Sequence, residues 1–122
     1  DGLGLARIKE LKIDTCIIST EKNPLVLERA KKLQINCMHA VDDKSIAIKE
    51  LCSSLKIEPK NVMFVGNDIN DIPAFRIVGL SVAVKDAFEE ILPYVDFQTN
   101  RKGGDGAVRE ICDHFYNTLV TT

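Results

Sequence analysis

The sequence of 122 residues has no closely paired cysteines, no long apolar run and no excess of charge of one sign. Each absence removes a class of protein. Cys16, Cys37, Cys52 and Cys112 are scattered, each within an apolar pattern. They read as reduced core thiols of a cytoplasmic protein, and the paired spacing of a zinc site is missing. His39 and His114 are isolated too, and read as structural or surface residues. No stretch approaches the ~20 apolar residues of a membrane helix. The 16 basic and 18 acidic residues leave a net charge of -2, which argues against a nucleic-acid or membrane surface as the main business. No internal repeat or low-complexity tract is present. Leu5, Ile8 and Leu11, with Asp1 as a cap, predict an amphipathic helix over residues 1–11 rather than a leader peptide.

What is present centres on Asn61 to Asp71, N-V-M-F-V-G-N-D-I-N-D. A short apolar run that ends in glycine and then in carboxylates and carboxamides predicts a buried parallel strand. Such a strand delivers polar side chains to the carboxyl edge of the sheet, where open α/β sheets bind ligands. Pro73 suits the first turn of a following helix. A metal or phosphate site is expected here.

The other segments alternate in the same way. Ile13–Ser19 (I-D-T-C-I-I-S) predicts a second strand ending in hydroxyls. Asn23-Pro24 opens a helix with Val26, Leu27, Ala30 and Leu33 inward and Arg29, Lys31 and Lys32 outward. Residues 37–41 predict a weak strand, and Asp42-Asp43 cap a helix with Ile48, Leu51, Cys52 and Leu55 on one face. Lys44 falls in the first turn of that helix, where a cation opposes the helix dipole, so its place there favours a functional reason. A short helix to about Val78, strands at 80–84 and 96–98, and a helical turn at 88–92 follow. A Gly103-Gly104-Asp105-Gly106 loop then opens a last helix carrying Val108, Ile111, Cys112, Phe115 and Leu119. Strand and helix in alternation predict a parallel sheet with helices on both faces.

Three strand ends thus carry candidate chemistry: Ser19-Thr20-Glu21, Asp43-Lys44, and Gly66-Asn67-Asp68 through Asp71. A hydroxyl, a lysine and hard oxygens at one sheet edge are what a phosphate beside Mg²⁺ requires. Taken singly, each motif is more often a turn or a cap. In order they read I-I-S-T-E, D-D-K-S, V-G-N-D-I-N-D-I-P, V-G-L-S-V-A-V-K-D-A and G-G-D-G-A-V-R-E-I-C-D. In that order and spacing the chain resembles the haloacid dehalogenase superfamily. Within it, the chain is similar to the small capless branch that includes 3-deoxy-manno-octulosonate 8-phosphate phosphatases and the carboxyl-terminal modules of acylneuraminate cytidylyltransferases.

The resemblance implies a three-layer, Rossmann-like α/β domain over residues 1–122, with a parallel sheet, helices on both faces and no cap. It implies that Ser19, with Thr20, holds a phosphoryl group, and that Lys44 neutralises phosphate and nucleophile. It places Asn67, Asp68 and Asp71 at a Mg²⁺ site. Glu21 stands where substrates are sorted, and Arg29 and Lys32 match basic residues that face a substrate carboxylate; as bare spacing, they read as a solvated helix face. Members are usually homotetramers.

The chain departs from the pattern at several points. The nucleophile motif, Asp-x-Asp on a central strand ahead of Asp1, is missing, so a domain truncated at its amino terminus is expected, the missing strand lying between those at Ile13 and Val62. Asn67 stands in place of an aspartate and would weaken metal affinity. Thr20-Glu21 replaces Gly-Arg, which shifts the expected substrate from an octulosonate 8-phosphate toward a nonulosonate 9-phosphate. The expected reaction is Mg²⁺-dependent hydrolysis of a phosphorylated keto sugar acid. The competing expectation is a non-catalytic module that tetramerises a fused cytidylyltransferase. A phosphoacceptor receiver domain fails on the order of its motifs.

Overall fold

A computed structural model describes residues 13–103, 106–107 and 109–112. The helix expected over residues 1–11, and Gly104, Asp105, Val108, Phe115 and Leu119 of the last motif, lie outside the described residues. The elements follow in the order β1 (Cys16–Ile18), α1 (Leu25–Leu33), β2 (Asn36–Met38), α2 (Lys44–Leu55), β3 (Met63–Gly66), α3 (Ile72–Phe75), β4 (Leu80–Ala83) and β5 (Phe97–Gln98). Short 3-10 turns fill in at Pro59–Asn61, Ile69–Asp71 and Glu89–Tyr94. Every strand pairing is parallel, with helices on both faces of the sheets, as the alternation predicts.

Among the described residues the strands form two sheets, β1-β2 and β3-β4-β5, with no ladder between β1 and β3. That break falls between the strands expected at Ile13 and Val62, where the sequence reading sets its missing central strand. Across it, packing is by side chains: buried Ile48, Cys52 and Ala74 pack with Ile18 of β1 and with Val62 and Phe64 of the other sheet. A second cluster joins Phe75, Ala83 and Ile91.

The helix boundaries follow from capping. Asn23 Oδ1 accepts from Leu25 N at 3.0 Å, and Asp43 Oδ1 accepts from Ser45 N at 2.8 Å, each satisfying a first-turn donor. At the other end, Gln34 and Lys56 adopt the left-handed conformation and return their N–H groups to the last turn.

Several boundaries differ from expectation, beginning with β1, which runs Cys16–Ile18 rather than Ile13–Ser19. β2 stops at Met38 rather than Val41, because Ala40 takes φ 53 and donates its N–H to Glu21 O at 3.0 Å, turning the chain toward α2. The helix expected to reach Val78 ends at Phe75. There the chain must bring Gly79 against the Lys60 carbonyl, so close that a Cβ at residue 79 would meet that oxygen at 1.7 Å.

Candidate functional site

Asp71 is the hinge of the site. It is completely buried, and each carboxylate oxygen is engaged. Oδ1 accepts from Lys44 Nζ at 2.7 Å, while Oδ2 accepts from the main-chain N–H groups of Asn67 and Asp68 at 2.9 and 3.1 Å. The Lys44 side chain is only 12% exposed, and its ammonium lies 6.0 Å from the Phe64 ring centroid. Lysine and aspartate buried together offset each other's desolvation, and the two amide donors complete the carboxylate's shell. The first-turn lysine therefore answers to Asp71, 27 residues away, rather than to its own helix dipole.

The loop after β3 is shaped by the same carboxylate. Asp68 accepts from Ile69 N at 2.6 Å and forms a reciprocal capping box with Asp71. Gly66 has no room for a side chain, since a Cβ there would lie 2.6 Å from Asp71 Oδ2 and 2.8 Å from Phe75 Cζ. The glycine lets the carboxylate sit directly on the strand end. Asn67 is exposed and Asp68 half-buried at the carboxyl end of β3.

The ends of β1 and β2 supply the remaining candidates. Ser19 Oγ accepts from Glu21 N at 3.0 Å, leaving its own O–H free to donate. Ser19 O accepts from Val41 N at 3.0 Å, which ties this turn to the loop leading into Lys44. Thr20 and Glu21 are exposed, and Glu21 Oε1 accepts from Asn23 N at 2.8 Å. Arg29 and Lys32 are exposed on α1, with no hydrogen bond or ion pair to the other candidates among the described residues. The structure thus joins Lys44, Asn67, Asp68 and Asp71 directly, ties the Ser19 turn to Val41 in the loop before Lys44, and gives Arg29 and Lys32 no bond to these residues among the described ones.

The donors fit a hard cation in chemistry but not in number. Asn67 and Asp68 present oxygens, as Mg²⁺ prefers. Among the described residues no group of at least three His, Cys, Asp or Glu side chains is placed to hold a metal. Asp71, expected at the metal, has its carboxylate committed to Lys44 and the loop amides. Of the shifted groups, Asp43 is held below its ordinary 3.8 chiefly by the Ser45 hydroxyl, and burial raises the thiols of Cys16, Cys37 and Cys52 above 9.0.

The haloacid dehalogenase-like hydrolase family matches residues 6–111. The chain belongs to that family. A 3-deoxy-D-manno-octulosonate 8-phosphate phosphatase of Yersinia pestis is 40% identical over 114 residues, 93% of this chain and 61% of that protein. The Escherichia coli K12 phosphatase of the same name is 41% identical over the same shares. The chain therefore spans about three-fifths of the length of these curated relatives. Of solved haloacid dehalogenase structures, that of the Yersinia pestis phosphatase superposes with a TM-score of 0.86 at 40% identity, over 90% of this chain and 60% of that one. The Moraxella catarrhalis phosphatase, in complex with magnesium, phosphate and a KDO molecule, gives 0.89 at 31% identity over 98% and 73%.

Gly66 and Glu110, which the sequence placed only within their motifs, take specific roles in the structure. Gly66 is needed for the approach of Asp71, and Glu110 receives the amides of Asn100 and Arg101 at 3.0 and 2.9 Å. Asp71 comes three positions after Asp68, the capping-box interval, and that spacing was the available signal for Asp71 as an organiser of the loop.

Proposed function

We propose that this chain is the larger part of a Mg²⁺-dependent phosphatase that hydrolyses a phosphorylated eight- or nine-carbon keto sugar acid. The observation that carries the reading is the buried Lys44–Asp71 pair at 2.7 Å, beside the exposed Asn67 and half-buried Asp68. A purely structural domain gains little from burying an ion pair, which apolar residues of similar volume often replace without loss. The octulosonate phosphate named for the relatives supports the substrate class, and Glu21 in place of Arg keeps a nonulosonate 9-phosphate in view.

In this reading Ser19, with Thr20, donates to phosphoryl oxygens, and Lys44 places a cation against them. Asn67 and Asp68 hold the metal, with Asp71 fixing their backbone and the lysine. Mg²⁺, when bound, neutralises charge on the transferring group. The attacking aspartate comes from a strand seated between β1 and β3, outside this chain, so the reaction belongs to the full-length gene product. Glu21, Arg29 and Lys32 are the candidates for contacts to the sugar, and the working form is a cytoplasmic homotetramer.

Asn67 favours a second reading, a catalytically silent oligomerisation module fused to an acylneuraminate cytidylyltransferase, because a carboxamide brings no charge to the metal. Phosphate release by the full-length product from octulosonate 8-phosphate and nonulosonate 9-phosphate decides between them. Release that needs Mg²⁺ and falls with Lys44→Ala is expected. A folded protein that releases phosphate from neither substrate would leave only the silent module.

A further inference from the structure

The segment V-A-V-K-D-A, to which the proposed function gives no role, ends in a turn bonded to the loop after β3. Val84 N donates to Gly66 O at 3.2 Å, and Phe88 N donates to Asn67 O at 3.0 Å. Successive carbonyls of that loop are thus taken by the two ends of residues 84–88. The N–H of Asn67 is held as well, by Asp71 Oδ2 at 2.9 Å. Both polar main-chain groups of Asn67 are therefore fixed before any ligand meets its exposed side chain.

The turn is in turn held by the core and by β5. Ala87 packs on the cluster of Phe75, Ala83 and Ile91, and its N–H returns to Val84 O at 3.1 Å. Gln98 Nε2 donates to Val84 O and to Lys85 O, at 3.2 and 2.9 Å. Thr99 Oγ1 accepts from Lys85 N at 3.2 Å, and Asp86 Oδ1 accepts from Gly103 N at 2.8 Å. Asp86 and Gln98 are exposed, where water replaces a lost hydrogen bond and the bond itself adds little stability. What they add is position. Through them, β5 and the chain after it fix the turn, and the turn fixes the Asn67 carbonyl.

Position matters more for a carboxamide than for a carboxylate at residue 67. A carboxylate attracts a cation by its charge from any direction, whereas an amide oxygen attracts it as a dipole and must be aimed. Mg²⁺ is also strict in geometry, so a neutral ligand has to be held by its surroundings.

We propose that Asp86 and Gln98 are positioning residues: acting through the turn at 84–88, they fix the main chain of Asn67 so that its carboxamide oxygen is held in place before Mg²⁺ binds. The role at the metal rests on the phosphatase reading above; the coupling between turn and loop does not.

The test uses the full-length gene product. Amide hydrogen exchange without metal comes first. Asp86→Ala and Gln98→Glu, which sets a carboxylate against two carbonyls, are expected to speed exchange over residues 66–71 roughly 2- to 10-fold, the loss of about one hydrogen bond. Residues 25–33 of α1 should exchange as in wild type, and Asp86→Asn, which keeps the acceptor oxygen, should restore the wild-type rate. Mg²⁺ titration follows, by calorimetry and by phosphate release from octulosonate 8-phosphate. The same two variants should need more Mg²⁺ for half-saturation by a similar factor, with kcat and KM at saturating Mg²⁺ near wild type. Unchanged exchange over 66–71 would overturn the coupling, and faster exchange throughout the chain with a fall in kcat would reduce both residues to stabilising the fold. Faster exchange over 66–71 with unchanged Mg²⁺ affinity would overturn the role at the metal. A wild-type protein that releases phosphate from neither octulosonate 8-phosphate nor nonulosonate 9-phosphate overturns the phosphatase reading instead, and exchange and calorimetry then decide the positioning role alone.

Discussion

The two sheets hold their polar groups in different ways. Around β1 and β2 the side-chain bonds are local. Ser19 to Glu21, Glu21 to Asn23, Asn23 to Leu25 and Asp43 to Ser45 each span two residues. Around β3, β4 and β5 local bonds at Asp68, Asp71 and Thr99 are joined by ones that reach far along the chain, with Ser81 to Asp96 15 residues apart, Lys85 to Thr99 14 and Gly103 to Asp86 17. Local bonds shape turns wherever those turns are. Distant ones exist only when the whole sheet is assembled. The first half can therefore be rewritten residue by residue, whereas the second stands or falls together, and Lys44–Asp71 is the polar contact that fastens one to the other.

Removing that fastening has the largest expected effect. Asp71→Ala leaves Lys44 buried without its counter-charge and two amides without their acceptor, and is expected to cost about 3–5 kcal/mol, read by urea denaturation. Should the loss stay below that of an exposed pair, of order 0–1 kcal/mol, the halves are joined by packing alone. Gly66→Ala comes next. Its methyl would press on Asp71 Oδ2 and Phe75 Cζ, and overpacking of this kind costs about 1–3 kcal/mol, with the lysine displaced as well.

Asp43→Ala, on the local side, should have the smallest effect and a pH signature. The folded carboxyl titrates below its ordinary 3.8, so its contribution is full above that value and is lost as pH falls through the lower, folded pKa. Melting curves of wild type and variant should converge in that acid range. A difference that persists there would mean the cap acts through something other than its charge.

Much of this was legible beforehand because the signals are short-range. The V-M-F-V-G run marks β3, Asn23-Pro24 marks α1, and Asp43 marks the start of α2. These depend on neighbours that any sequence displays. The early end of β2 and the early end of α3 were not legible, since Ala40 turns to meet Glu21, and Gly79 meets Lys60, across the fold. The site divides along the same line. Lys44 stood out because it opposes its helix dipole, and Asp68 because it ends a strand. That Asp71 would be wholly buried, receiving three donors instead of facing a ligand, depends on Lys44 arriving from 27 residues away, which spacing within one motif does not encode. The work of Glu110 on Asn100 and Arg101 is hidden for the same reason.

Ala40 carries a consequence of another kind. It holds a left-handed backbone at φ 53, where its methyl costs about 1–2 kcal/mol relative to glycine. The same methyl takes about 0.4–1 kcal/mol of freedom from the unfolded chain. The terms offset in good part, so alanine here gives stiffness more than stability. Its N–H keeps the Glu21 carbonyl in place, and under the proposed function a ligand entering beside Ser19 would meet a turn whose disorder was removed when the chain folded, not one that must be ordered on arrival.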